Sequence, residues 1–157
     1  MTAAHERGTT APDGPPNVET ASVTLVQGMH FNGAIDHFHI SLDAAPSVGG
    51  TGAGAQPLQL LLLGVAGCTG MDVISILRKK RQHVSSFVVE VAALRAIEHP
   101  RVYTAIEIVY RLRGTAIDPQ AVARAIELSE THYCPAISML SATAPITSRF
   151  EIINEGS

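Results

Sequence analysis

The chain has no tryptophan, only seven other aromatic residues (four Phe, three Tyr) and only two cysteines. Each shortage removes a class of function. Without a set of aromatic faces there is no stacking platform for single-stranded nucleic acid. Two cysteines cannot form the disulfide framework of a small secreted domain, which leaves a redox or catalytic pair or two inert thiols. Charge is also sparse: 16% of residues are charged, the net charge is −3, and no Arg or Lys occurs from Gly8 to Leu77. A broad basic surface for nucleic acid or an acidic membrane is therefore not expected. The run Arg78-Lys79-Lys80-Arg81 has no second basic cluster beside it and reads as the solvated end of a helix. The first residues, MTAAHERGTTAPDGPPNVET, lack a signal peptide's basic and apolar regions, so the expected location is the cytoplasm.

What is present is apolar. Hydrophobic residues make up 46% of 157 positions, enough for one domain with a sizeable core and some buried protein–protein surface. Residues 1–20, rich in Ala, Thr, Pro and Gly, are expected to be a disordered extension, and residues 21–157 a single domain. The most apolar stretch, Gln56 to His83, has Pro57 near its start and four cations at its end, the pattern of a long buried helix. Its segment Leu60 to Leu77 barely meets the length of a membrane span and is diluted by Gly64, Gly67, Gly70 and Asp72; no span is expected.

Ahead of this helix, Ala21 to Phe31 and Ala34 to Asp43 read as two strands joined by a turn at Asn32-Gly33. Beyond it, Ser85 to Ile97 and Arg101 to Arg113 read as a second hairpin, with Ile106, Ile108, Tyr110 and Leu112 on its dry face. Asp118-Pro119 caps a helix ending near His132, before Cys134-Pro135. A short helical turn at Ile137 to Ser141 and a strand at Ile146 to Ile153 follow. The order strands, helix, hairpin, helix, strand predicts an α+β fold with a mainly antiparallel sheet.

Gly50 to Ala55 fits the spacing G-x-G-x-x-A of a dinucleotide fingerprint, but no parallel strand with an acidic residue follows at the required distance, so a flexible surface loop is expected. His30, His37 and His39 could ligate a metal, yet nothing nearby completes a set, and they read as solvent-facing strand residues. The cysteines carry more information. Cys68 lies among small residues in Val65-Ala66-Gly67-Cys68-Thr69-Gly70-Met71-Asp72, and Cys134 stands where the backbone must turn before Pro135. They could form a functional dithiol or be two inert thiols.

The string from Gln56-Pro57-Leu58-Gln59 through Gly67-Cys68-Thr69-Gly70-Met71-Asp72-Val73-Ile74-Ser75-Ile76-Leu77, followed by Tyr133-Cys134-Pro135, resembles the OsmC/Ohr family. These are osmotically inducible and organic hydroperoxide resistance proteins, and the resemblance covers roughly Val23 to Ile153. It implies a sheet around the long central helix, an intertwined homodimer with interface sites, and a cysteine-based thiol peroxidase. Organic hydroperoxides and hydrogen peroxide would be the substrates. Cys68 would attack the peroxide to give a sulfenic acid, and Cys134 would resolve it as a disulfide, reopened by a lipoyl-protein or a thioredoxin-like dithiol. No metal or organic cofactor is needed. Gln59 stands where the family places a Glu nine residues before the reactive cysteine, and the partner Arg of that Glu has no counterpart from Gly8 to Leu77. Supporting roles are therefore assigned to Gln59, to Asp72 one helical turn after Cys68, and to His132 as a source of positive charge. The alternative is a non-catalytic dimer of the same fold that binds a small hydrophobic ligand or a protein partner.

Overall fold

The structure is a computed structural model and describes residues 18–155. Residues 1–17 of the expected extension lie outside the described residues, and Val18 to Ala21 carry no regular secondary structure. The described residues fall into two compact units, divided between Gly54 and Ala55.

The first unit is a three-stranded antiparallel meander of β1 (Ser22–Gln27), β2 (His30–Ile35) and β3 (Phe38–Leu42). This corrects the expected two-stranded hairpin. Asn32-Gly33 lies inside β2, where Gly33 pairs with Val23 on one side and Ile40 on the other. The turns form instead at Gly28 and Asp36, which take the left-handed φ values of 57° and 53°. Glycine adopts that region without steric cost and Asp tolerates it better than most residues, so the chain reverses there.

The glycine-rich loop after β3 lies at the surface, as expected, and is tied down by hydrogen bonds. It contains a short 3₁₀ turn, Pro46–Val48, and closes on Asp43, which is 2% exposed. The Asp43 carboxylate accepts from the Ala44, Thr51 and Ala53 backbone N–H groups and from the Thr51 hydroxyl, at 2.8 to 3.0 Å. The Ala53 and Thr51 N–H groups hold its carboxyl well below the usual carboxylate range. Gly50 is required by contact: a Cβ there would sit 1.7 Å from the Ala44 carbonyl oxygen. The Thr51 and Ala53 N–H groups are thus already committed and cannot cradle a phosphate.

The second unit contains α1 (Gln59–Lys79), β4 (His83–Arg95), β5 (Tyr103–Thr115), α2 (Pro119–Leu128), α3 (Pro135–Ser141) and β6 (Ile146–Asn154). A π-helical turn, Ser129–Tyr133, joins α2 to the residue before α3. The sheet order is β4-β5-β6, with β4 and β5 antiparallel and β6 parallel to β5. Parallel pairing is possible because the helical crossover between β5 and β6 returns the chain to the same end of the sheet. Ile106, Ile108, Tyr110 and Leu112 are buried on the dry face of β5, as the alternation predicts, and Val109 is buried as well. Asp118 caps α2 by accepting from the Gln120 N–H, with Pro119 as the first helical residue.

The central helix α1 is continuous through Gly64 and Gly67. Its buried residues, Val65, Thr69, Val73 and Leu77, recur every four positions and form one stripe against the core of this unit. Full burial within the chain stops at that stripe; Leu62, Cys68 and Ile76 are partly buried beside it, whereas Leu61, Leu63 and Met71 are 47%, 66% and 74% exposed. By length and composition α1 could cross a membrane, but the packed stripe is that of a core helix. Arg78 and Lys79 occupy its last turn, where the carbonyl end of the dipole favours cations.

Candidate functional site

Three side chains that the sequence singles out converge in the second unit. Cys68 and Asp72 are four residues apart on α1 and so share a face one turn apart. Cys134 arrives from the end of the π-helical turn. It is the N-cap of α3, held at φ −79° and ψ 103° because Pro135 excludes the α region from the residue before it. The Cys68 and Cys134 sulfurs and an Asp72 carboxylate oxygen all lie within 4.8 Å of one another. Both thiols are free.

The two sulfurs differ in setting. Cys134 is 3% exposed, and its sulfur accepts from the Ile137 N–H at 3.5 Å. Burial pushes its thiol up to about 11, the proximity of Cys68 adds to the rise, and the Ile137 N–H opposes it. Cys68 is only partly buried. Of the two residues Cys68 is therefore the more accessible, and Cys134 keeps its proton at neutral pH.

Asp72 is oriented from behind. The Ser129 hydroxyl, in the first residue of the π-helical turn, donates to Asp72 Oδ2 at 3.0 Å. Ser129 also bonds the Thr69 hydroxyl at 2.9 Å, and Thr69 bonds the Tyr110 phenol at 2.7 Å. Tyr110 in turn donates to Glu130 Oε1 at 3.1 Å. Thr69, Ser129 and Tyr110 are fully buried, and burial raises the Tyr110 phenol well above its ordinary range. These hydroxyls tie α1, β5 and the π-helical turn together directly behind the cysteines. Sequence reasoning missed them. Tyr110 was counted only as part of an apolar face, whereas Thr69, a polar residue in the buried stripe of α1, was the available signal.

The remaining supporting residues are placed elsewhere in the chain. Gln59 is the first residue of α1, nine residues before Cys68, a separation of roughly 13 Å along the helix axis. It is exposed, and its Oε1 accepts from the Gln56 N–H at 3.0 Å, so it serves the start of the helix. His132 is exposed on the π-helical turn with its ring edge-on to Tyr133 at 4.8 Å. Since α1 does not break at Gly64 or Gly67, no fresh helix start stands beside Cys68. Among the described residues His30, His37 and His39 do not gather: His30 bonds Ser41, His39 bonds Asn32, and His37 lies in the turn before β3 rather than on a strand, against Phe38.

A meander, a long helix with a cysteine at its middle, and a second cysteine capping a later helix over a β4-β5-β6 sheet define a two-cysteine α+β class. The chain belongs to the OsmC-like protein family, whose pattern matches residues 50–149. It is similar to protein YhfA of Escherichia coli K12, with 35% identity over 139 residues that cover 85% of this chain and 97% of YhfA. The fold is shared with a hypothetical protein from Aquifex aeolicus (TM-score 0.80, 26% identity, 90% of this chain and 100% of the other). It is shared at greater distance with an organic hydroperoxide resistance protein from Legionella pneumophila (TM-score 0.64, 11% identity, 88% and 99%).

Proposed function

We propose that this chain is a cytoplasmic, dimeric thiol peroxidase that reduces organic hydroperoxides and hydrogen peroxide through Cys68 and Cys134. The observation that carries this reading is the convergence of the two free sulfurs within 4.8 Å, one accessible and one buried. The Cys68 thiolate attacks the peroxide O–O bond; one oxygen remains as the sulfenic acid, and the other leaves as an alkoxide that takes a proton to become the alcohol. The Cys134 sulfur then attacks the sulfenic sulfur, its proton leaves with the hydroxyl as water, and a Cys68–Cys134 disulfide forms. A lipoyl-protein or thioredoxin-like dithiol would reduce it by exchange. Membership of a family that includes an organic hydroperoxide resistance protein supports the substrate class.

The test is peroxide consumption by the reduced protein, followed by non-reducing peptide mapping. The wild type is expected to consume organic hydroperoxide and yield the Cys68–Cys134 disulfide, and Cys68→Ser to lose all consumption. Activity surviving that change would overturn the assignment.

A second reading is favoured by a specific observation. Gln59 is engaged at the start of α1, and no cation stands between Gly8 and Leu77 to hold a thiolate. A non-catalytic dimer that binds a small hydrophobic ligand is then expected to show thiols no faster than free cysteine and saturable binding of an apolar probe.

A further inference from the structure

The two sulfurs and the carboxylate of the cysteine site form a donor set of the kind that holds a metal ion. Cys68 and Asp72 come from one rigid face of α1, four residues apart, and Cys134 comes from a separate element. All three donor atoms already lie within 4.8 Å of one another. Around a tetrahedral zinc ion, with bonds of about 2.3 Å to sulfur and about 2.0 Å to oxygen, donor atoms stand roughly 3.5–3.8 Å apart. The difference is within reach of side-chain rotation about Cβ, with no movement of the helices.

The surroundings are those that metal ligands need. The Ser129 hydroxyl donates to Asp72 Oδ2 and fixes the carboxylate, which has two oxygens to share. The Ile137 N–H donates to the Cys134 sulfur and favours its thiolate. Among the described residues no Arg or Lys pairs with Asp72, since the ion pairs of Arg111, Arg124 and Arg149 are made with Glu90, Glu107, Glu127 and Glu151. A cavity of about 260 Å³, lined by Asp72, Ser75, Ile76, Lys79, Leu128 and Tyr133, gives access to the Asp72 side. Two thiolates select a soft or borderline cation, and the added carboxylate with one open position points to zinc rather than copper(I).

We infer that reduced Cys68, Cys134 and Asp72 bind one Zn²⁺ per chain, with the fourth position left to water. A bound ion supplies positive charge at the thiols, and it withholds the dithiol from peroxide. Binding requires only the reduced side chains and stands whether or not the protein is a peroxidase.

The experiment titrates the reduced full-length protein with Co²⁺ alone and then with Zn²⁺ alone, in the absence of any peroxide. One Co²⁺ per chain is expected, with the intense thiolate-to-cobalt charge-transfer absorption and the visible bands of tetrahedral cobalt. Zn²⁺ is expected to bleach both and to slow alkylation of both cysteines. Cys68→Ser should lose the charge-transfer band. Asp72→Asn should weaken zinc binding by more than about tenfold and Ser129→Ala by about tenfold, the usual effect of losing an outer partner. Circular dichroism checks that each variant is folded. The wild-type stoichiometry and spectrum decide the matter independently of the variants. Cobalt bound without charge-transfer absorption, or zinc affinity unchanged in a folded Asp72→Asn protein, would overturn the site. A failure of the peroxidase reading would appear only in peroxide consumption and would leave these titrations unaltered.

Discussion

Cys134 shows how far its environment changes an ordinary residue. Its thiol titrates near 11 rather than at the ordinary 9.0 because burial penalises the thiolate. The folded chain therefore holds this proton more tightly than the unfolded chain does. The associated stability is fully present below pH 9 and is lost as pH rises through about 11, since between those values the unfolded state has already released its proton. Urea midpoints of the reduced protein should fall from pH 9 to 11 more steeply for the wild type than for Cys134→Ala. Parallel curves would show that Cys134 does not titrate differently in the two states. In the proposed peroxidase the same proton suits a division of labour between the sulfurs: the partly buried Cys68 attacks, and Cys134 gives up its proton as it closes the disulfide.

At the scale of elements, α1 does two things at once. Val65, Thr69, Val73 and Leu77 anchor it in the core of the second unit, and the adjacent face carries Cys68 and Asp72. The anchor governs the site because the helical spacing fixes Cys68 and Asp72 relative to the stripe. Leu77, fully buried at its end, is expected to contribute accordingly: Leu77→Ala should cost about 2–5 kcal/mol in equilibrium unfolding, the range for a buried leucine whose cavity does not collapse. A cost below 1 kcal/mol would mean that this end of the helix repacks freely. The glycine-rich loop makes the opposite point. Its spacing resembled a nucleotide cradle, but in the folded chain its N–H groups face inward to Asp43. The Asn-Gly pair was misleading for a related reason. A turn dipeptide is a local preference, and burial of Gly33 between two strands outweighs it.

For the molecule as a whole, the apolar residues left in water on α1 call for cover. Leu61, Leu63 and Met71 are large, apolar and exposed on one helix, more than scattered surface hydrophobes explain. Together with membership of the OsmC-like family this supports the proposed homodimer, in which the second copy supplies the missing surface. Sedimentation equilibrium should return the mass of two chains. Leu63→Lys with Met71→Lys should shift the protein toward one chain with its circular dichroism retained. A monomeric wild type would refute the dimer.

Much of the second unit was legible in the sequence because its signals are local. The apolar run of α1 with its terminal cations, the Asp118-Pro119 cap, the alternation of β5 and the turn forced before Pro135 each depend on neighbouring residues, and each formed where expected. The family resemblance carried by the two cysteine motifs was legible for the same reason. Tertiary structure alone decided the rest. Cys134 meets Cys68 and Asp72 only after α2 and the π-helical turn fold back on α1. The Thr69–Ser129–Tyr110 hydroxyls find partners only when three elements pack together, since polar groups that are fully buried must bond across the core or lose their hydration without return. Local preference sets which segments form helices and strands, whereas the pairing of distant side chains is settled by burial, which no short stretch of sequence contains.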